Sequence, residues 1–170
     1  MGSKSRAKRK PMVFVSYAHA DEVWRTRLRP HLELLWQVGM LTVWDDHDIN
    51  VGSHWHPEIL RALNRARFAI CLISSDFLAS EFVSDEEVPR LLERRARGKL
   101  EVIPVLLRSC SWKAVDWLKA IQMLPRNGKS VATHYRDNWD DVFAQVAERI
   151  YDVLQGEKRS TRKPSKRKRN

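Results

Sequence analysis

The chain has 170 residues, two of them cysteine, and a formal net charge of +10 at pH 7. That length suits one domain with a core of its own, and two cysteines exclude a disulfide framework. Apolar runs of about six residues fall far short of the roughly 20 that span a bilayer, and the basic start MGSKSRAKRKP lacks a secretory h-region, so a soluble cytoplasmic protein with no transmembrane segment is expected.

The charge is unevenly spread. Residues 1–10 carry five Lys/Arg and no acid, and residues 156–170 carry eight against Glu157, which leaves residues 11–155 at −2. Neither end has apolar residues to bury. Residues 1–11 and 156–170 are therefore expected to be disordered basic tails around one domain at 12–155. Such tails either aid solubility or contact nucleic acid or an anionic surface through phosphates, without sequence readout.

MVFVSY (12–17) reads as a buried strand. Asp21 then precedes a helical pattern of Trp24, Leu28, Leu32 and Leu35, in which Pro30 should kink or break the helix. Gly39 stands where a left-handed terminator is wanted. MLTVW (40–44) is the second strand. The long polar loop DDHDINVGSHWHPE (45–58) follows it, then a helix marked by Trp55, Ile59 and Leu63, with Pro57 in its first turn.

FAICLI (68–73) is apolar throughout, as suits a central parallel strand, and Cys71 within it is expected to be buried and reduced. An acidic turn and a basic helix ending at Gly98 come next. LEVIPVLL (100–107) is the fourth strand, with Pro104 marking an edge or bulge. Residues 108–127 read as irregular to weakly helical, anchored by Trp112, Trp117 and Leu118. SVATHY (130–135) reads as a short fifth strand. A long helix closes the chain with the stripe Trp139, Val142, Phe143, Val146, Ile150, Val153 and Leu154, capped through Asn138 and Asp141.

This alternation predicts an α/β, flavodoxin-like three-layer sandwich around a five-stranded parallel sheet of order 2-1-3-4-5. The loops after Tyr17 and Ile73 would then line one crevice at the switch point.

Neither Gly-rich phosphate-loop pattern is present, which argues against a conventionally held dinucleotide. Asp45, Asp46, His47, Asp48, His54 and His56 crowd one loop, but without cysteine or a fixed spacing they make a weak metal motif, and no metal is expected. The turn SSDFLASEFVSDEEVPRLL (74–92) carries more. Pro89 disfavours helical geometry at Val88, so the helix is expected to begin near it, with Glu86 and Glu87 on the preceding turn. Ser84 and Glu87 would make a plain capping box. Alternatively, a carboxylate aimed at the crevice could orient ribose hydroxyls and stabilise positive charge as an N-glycosidic bond breaks, with Phe82 stacking on a base.

Four ordered motifs bear a family likeness. FVSYAHAD (14–21), VWDDHDINVGSHWHPEI (43–59) with Gly52 and Trp55, LISSDFLASEFVSDEE (72–87) and VIPVLLRSCSW (102–112) together resemble a bacterial Toll/interleukin-1 receptor (TIR) domain from about Met12 to Leu154. The resemblance implies a flavodoxin-like fold and one of two functions. One is an NAD⁺ nucleosidase, with NAD⁺ as substrate and no cofactor, that yields nicotinamide and ADP-ribose or a cyclic variant, commonly in defence against phage. The other is a non-catalytic module that signals through TIR–TIR assembly. It implies a catalytic glutamate after the third strand. An aromatic-x-x-x-Glu spacing from Phe82 points to Glu86, and an Asp-x-Glu-apolar pattern (Asp85, Glu87, Val88) points to Glu87, which is favoured. Phe82 and Val83 depart from the family's usual Trp or Tyr and Cys. By position, Ser16, Tyr17, Asp46 and Phe82 would contact the substrate. The loop 45–54 would gate the pocket and meet the next protomer.

Overall fold

The computed structural model describes residues 9–45, 55–80 and 87–162. The apolar runs form four strands, β1 (Met12–Ser16), β2 (Thr42–Asp45), β3 (Phe68–Ile73) and β4 (Glu101–Leu106). All neighbours pair parallel, in the order β2-β1-β3-β4. Between and after them run α1 (Glu22–Gln37), α2 (Trp55–Arg65), α3 (Ser75–Leu78), α4 (Glu87–Ala96), α5 (Asp116–Lys119), α6 (Val131–His134) and α7 (Trp139–Arg162). Short 3-10 turns occupy His19–Asp21 and Trp112–Ala114.

Side chains alternate across a strand, so each strand feeds two layers. Val13, Val15, Ile70 and Leu72 pack with Leu28 and Leu32 of α1 and Phe143, Val146 and Ile150 of α7. Phe14, Ala69, Cys71 and Ile73 pack on the other face with Ile59 and Leu63 of α2 and Val88 and Leu91 of α4. This is the expected three-layer sandwich. All six residues of β3 are buried, as its uninterrupted apolarity requires. Pro104 lies on β4, at the sheet edge. Gly39 takes φ +74° after α1, and Gly98 takes φ +66° after α4.

Four expectations are corrected. Among the described residues no fifth strand forms: Val131–His134 is a helical turn, and only Ser130 and Val131 of that segment are buried. The far edge of β4 is met instead by Leu124 alone. Its carbonyl accepts from Leu106 N at 2.8 Å and its N–H donates to Pro104 O at 2.9 Å. Pro125 follows, and with no N–H it cannot extend the ladder.

Pro30 does not break α1, which runs 16 residues through it. Leu28, Leu32 and Leu35 on the buried face hold the helix across the one hydrogen bond that proline removes. Glu87 is the first residue of α4 rather than part of a preceding turn. Proline is tolerated in a first turn, where its missing N–H has no intrahelical partner anyway. Residues 156–162 are helical, not a disordered tail. Propagating an existing helix adds one hydrogen bond per residue, and Glu157 is held by Arg67 Nε at 3.0 Å.

Candidate functional site

In parallel α/β sheets, ligand sites form beyond the carboxyl ends of the strands, where the strand order reverses. Here that point lies between β1 and β3. Ser16 ends β1 directly opposite Cys71 of β3. By alternation its side chain shares the face of Phe14 and Cys71, which is the face covered by α2 and α4. Glu87 opens α4 on that same side. Its side chain is only 1% exposed, and the next residue, Val88, packs in the layer that holds Phe14 and Phe77. Ser16 thus lies on the face of the sheet that α4 covers, and Glu87 is the first residue of that helix.

Tyr17 goes to the other. It packs with Val15, Leu28 and Leu32, and the Arg25 guanidinium stands 5.9 Å above its ring. Glu86, Phe82, Asp46 and the loop 46–54 lie outside the described residues, as do Ser84 of the capping box and Asp46, His47, Asp48 and His54 of the metal motif. Among the described residues no group of three metal-ligating side chains occurs.

A buried polar network lies just beyond the strand ends, and sequence reasoning missed it. Asp21, fully buried, follows β1. Its Oδ2 accepts from Ser74 Oγ at 2.5 Å and its Oδ1 from Arg108 Nε at 2.6 Å. Ser74 follows β3 and also caps α3, its hydroxyl accepting from Phe77 N at 3.1 Å. Arg108 follows β4 and reaches Asp76 through its second guanidinium arm. Its hydrogen bonds to Asp21 and then to Asp76 keep the guanidinium charged and raise its pKa well above the ordinary value. A buried carboxylate requires such partners, since an unpaired one is expensive to desolvate. The available signal was topological: an Asp, a Ser and an Arg each stand just past the end of β1, β3 or β4. The network ties together the three loops that frame the switch point.

Burial pushes the Cys71 thiol up to about 12. Cys110 is also raised by burial, partly offset by the Trp112 backbone and by the charge of Arg108. Neither is an activated nucleophile.

This sheet order, with a polar network beyond the ends of β1, β3 and β4, defines a flavodoxin-like α/β class. Residues 13–147 match the family model described as "TIR domain". The chain belongs to the TIR domain family. It is 36% identical over 143 residues to "Uncharacterized protein y4lF" of Sinorhizobium fredii, covering 84% of this chain and 43% of that protein. It is 22% identical over 142 residues to "2' cyclic ADP-D-ribose synthase AbTIR" of Acinetobacter baumannii, covering 84% of this chain and 48% of that one. The chain thus spans less than half the length of these two relatives. Among solved structures, the TIR domain of the Toll-related receptor TRR-2 from Hydra magnipapillata is similar with a TM-score of 0.52 at 21% identity, over 76% of this chain and 96% of that one. The TIR domains of the activated Roq1 resistosome, which recognises the pathogen effector XopQ, are similar with a TM-score of 0.54 at 18% identity, over 83% and 99%. No helix among the described residues is long and apolar enough to cross a membrane.

Proposed function

We propose that this TIR domain is an NAD⁺ nucleosidase that uses Glu87. The observation that carries the reading is that Glu87 is buried at the head of α4, a helix that packs on the face of the sheet to which Ser16 belongs. In the proposed reaction the bond between ribose C1′ and the nicotinamide nitrogen breaks, and its electron pair leaves with neutral nicotinamide. The ribose becomes oxocarbenium-like. A carboxylate in a site of low dielectric stabilises that charge far better than water does. Water then adds to C1′ to give ADP-ribose, or a ribose hydroxyl adds to give a cyclic product, and one proton is released in either case. The name of the Acinetobacter relative, a cyclic ADP-ribose synthase, supports this chemistry.

Ser16, at the end of β1, is the proposed pocket residue the sheet face favours; Tyr17, next in sequence but packed on the other face, would have to reach the substrate from the loop that follows, with Asp46 and Phe82 completing the pocket and Glu86 as the alternative catalytic group. Self-association through the loop 45–54 completes the site, a reading supported by the assembled TIR domains of the Roq1 resistosome. The reading places the reaction in the cytoplasm, in defence against phage.

The test is nicotinamide release from NAD⁺ by concentrated or crowded protein. Release by wild type, abolished in Glu87→Gln and retained in Glu86→Gln, is expected. No release under any assembling condition would sink the reading.

A further inference from the structure

The strand N-termini and the helix C-termini meet at the end of the domain opposite Asp21 and Arg108. Backbone hydrogen bonds fix how the chain gathers there. Arg67 N donates to Met12 O at 2.8 Å, Glu101 N to Arg67 O at 2.9 Å and Thr42 N to Pro11 O at 2.9 Å. Arg94, near the end of α4, donates to Ala66 O at 2.7 Å, and Lys99 N donates to Arg94 O at 3.0 Å. Glu157, near the end of α7, is held by Arg67. These contacts collect the exposed cations Arg9, Lys10, Arg65, Arg95, Arg97 and Lys99 on one face.

The acids of that face are already engaged. Glu157 meets Arg67, Glu101 meets Arg149 Nη2 at 2.6 Å, and Glu93 meets Arg97 Nη2 at 2.7 Å. Residues 11–155 as a whole carry −2, so this cluster of cations is not the reflection of a generally basic domain.

Cations at helix C-termini ordinarily complement the macrodipole, about half a charge per end. That accounts for part of the set only. Arg9, Lys10 and Lys99 belong to no helix, and Arg94 already serves the carbonyls of Leu63 and of Ala66 just past α2.

A second observation identifies the partner. The last turn of α1 ends at the same face: a Cβ on Gly39 would lie 3.4 Å from Lys10 Nζ. Around that turn Leu34, Trp36 and Val38 are 62%, 50% and 61% exposed. A phosphodiester backbone would cover the cations and leave these side chains in water. A lipid surface covers both, with phosphates for the cations and the headgroup boundary for Trp36 and its apolar neighbours.

We propose that this end of the domain docks on an anionic bilayer, turning the Asp21–Arg108 end and its crevice towards solution.

The test is co-sedimentation of the full chain with phosphatidylcholine vesicles, with and without phosphatidylglycerol, beside binding to a single-stranded DNA oligonucleotide at the same salt. Binding only to vesicles that contain phosphatidylglycerol is expected. With the basic ends intact, R95Q/R97Q/K99Q should weaken it roughly a hundredfold, from about fivefold per lost cation. W36A/V38A should weaken it several-fold. All these positions are exposed, and thermal melting confirms that the variants fold. A triple variant that binds like wild type would overturn the proposal. So would DNA binding that is tighter than vesicle binding and indifferent to W36A/V38A, which would assign the face to nucleic acid.

Discussion

Arg108 donates from Nε to Asp21 Oδ1 at 2.6 Å, joining the loop after β4 to the loop after β1 across 87 positions of chain. Asp21 is fully buried, whereas about a third of the Arg108 side chain meets solvent. Removing the arginine leaves a charge in the interior, and removing the aspartate leaves one at its margin. Arg108→Gln should therefore destabilise by roughly 3 kcal/mol, in the range for one partner of a buried pair, and more than Arg108→Lys. Urea unfolding of the three proteins measures this. Equal stability in Arg108→Gln and wild type would show that the pair holds nothing together.

Ser74 both gives and receives. Its hydroxyl donates to Asp21 and accepts from Phe77 N. Ser74→Ala should lose about 2–4 kcal/mol, the sum of a missing N-cap and a missing hydrogen bond to a charged acceptor. Ser74→Thr, which keeps the hydroxyl, should recover most of it if the extra methyl is accommodated. A denaturation series on both variants reads the difference.

For Glu87 the expected activity and stability effects separate. Glu87→Gln keeps the volume and should shift stability by less than about 1 kcal/mol, while nicotinamide release falls roughly 10²-fold or more. Parallel loss of folding and activity would instead mark the residue as structural. The melting curve and the product assay together distinguish the two.

The two thiols should be sluggish in the native protein. Both pKa values are raised, and the thiolate is the reactive form. Disulfide-exchange labelling at pH 7 should modify Cys110 slowly and Cys71 only after denaturant is added. The linkage has a definite sign. Because Cys71 is held protonated up to about 12 against an ordinary 9.0, its contribution is intact below pH 9 and is lost as pH rises towards 12. The stability difference between wild type and Cys71→Ala should shrink across that window.

Pro30 is exposed inside α1. Pro30→Ala restores an N–H donor to the helix and relieves the ring clash. It should stabilise the protein by about 1–2 kcal/mol after allowing for the greater freedom of the unfolded chain. Destabilisation on calorimetry would mean that the proline ring packs favourably.

The strands from Met12 to Leu106 were legible because their apolar runs are short, β-branched and bounded by charge or glycine. The segment at 130–135 was misread on composition: Val131 and Thr133 have β-propensity, but Thr133 and His134 are solvent-exposed, and Val131 with the half-buried Tyr135 holds the segment to the core as a helical turn. Propensity did not decide; the single bridge of Leu124 had already occupied the edge. The continuity of α1 through Pro30 was hidden for a similar reason, since tertiary packing outweighs one lost bond. At the site, the strand ends that hold Ser16 and Ser74 could be located from the runs. The pairing of Asp21 with Ser74 and Arg108 joins residues 53 and 87 positions apart, and no local pattern encodes it. Tyr17 adjoins Ser16 in sequence, yet the period of two sends it to the opposite layer.

The all-parallel order also bears on how the chain reaches its fold. Every strand pair is separated by a crossover, so no hairpin is available to form early, and the partners of β3 come from far along the sequence on both sides. Until both arrive, FAICLI is an uncharged, proline-free, glycine-free hexapeptide exposed to solvent, the kind of segment that pairs with copies of itself. Refolding yield should therefore fall as protein concentration rises, and a charge placed within β3 to suppress that loss would disrupt the native core.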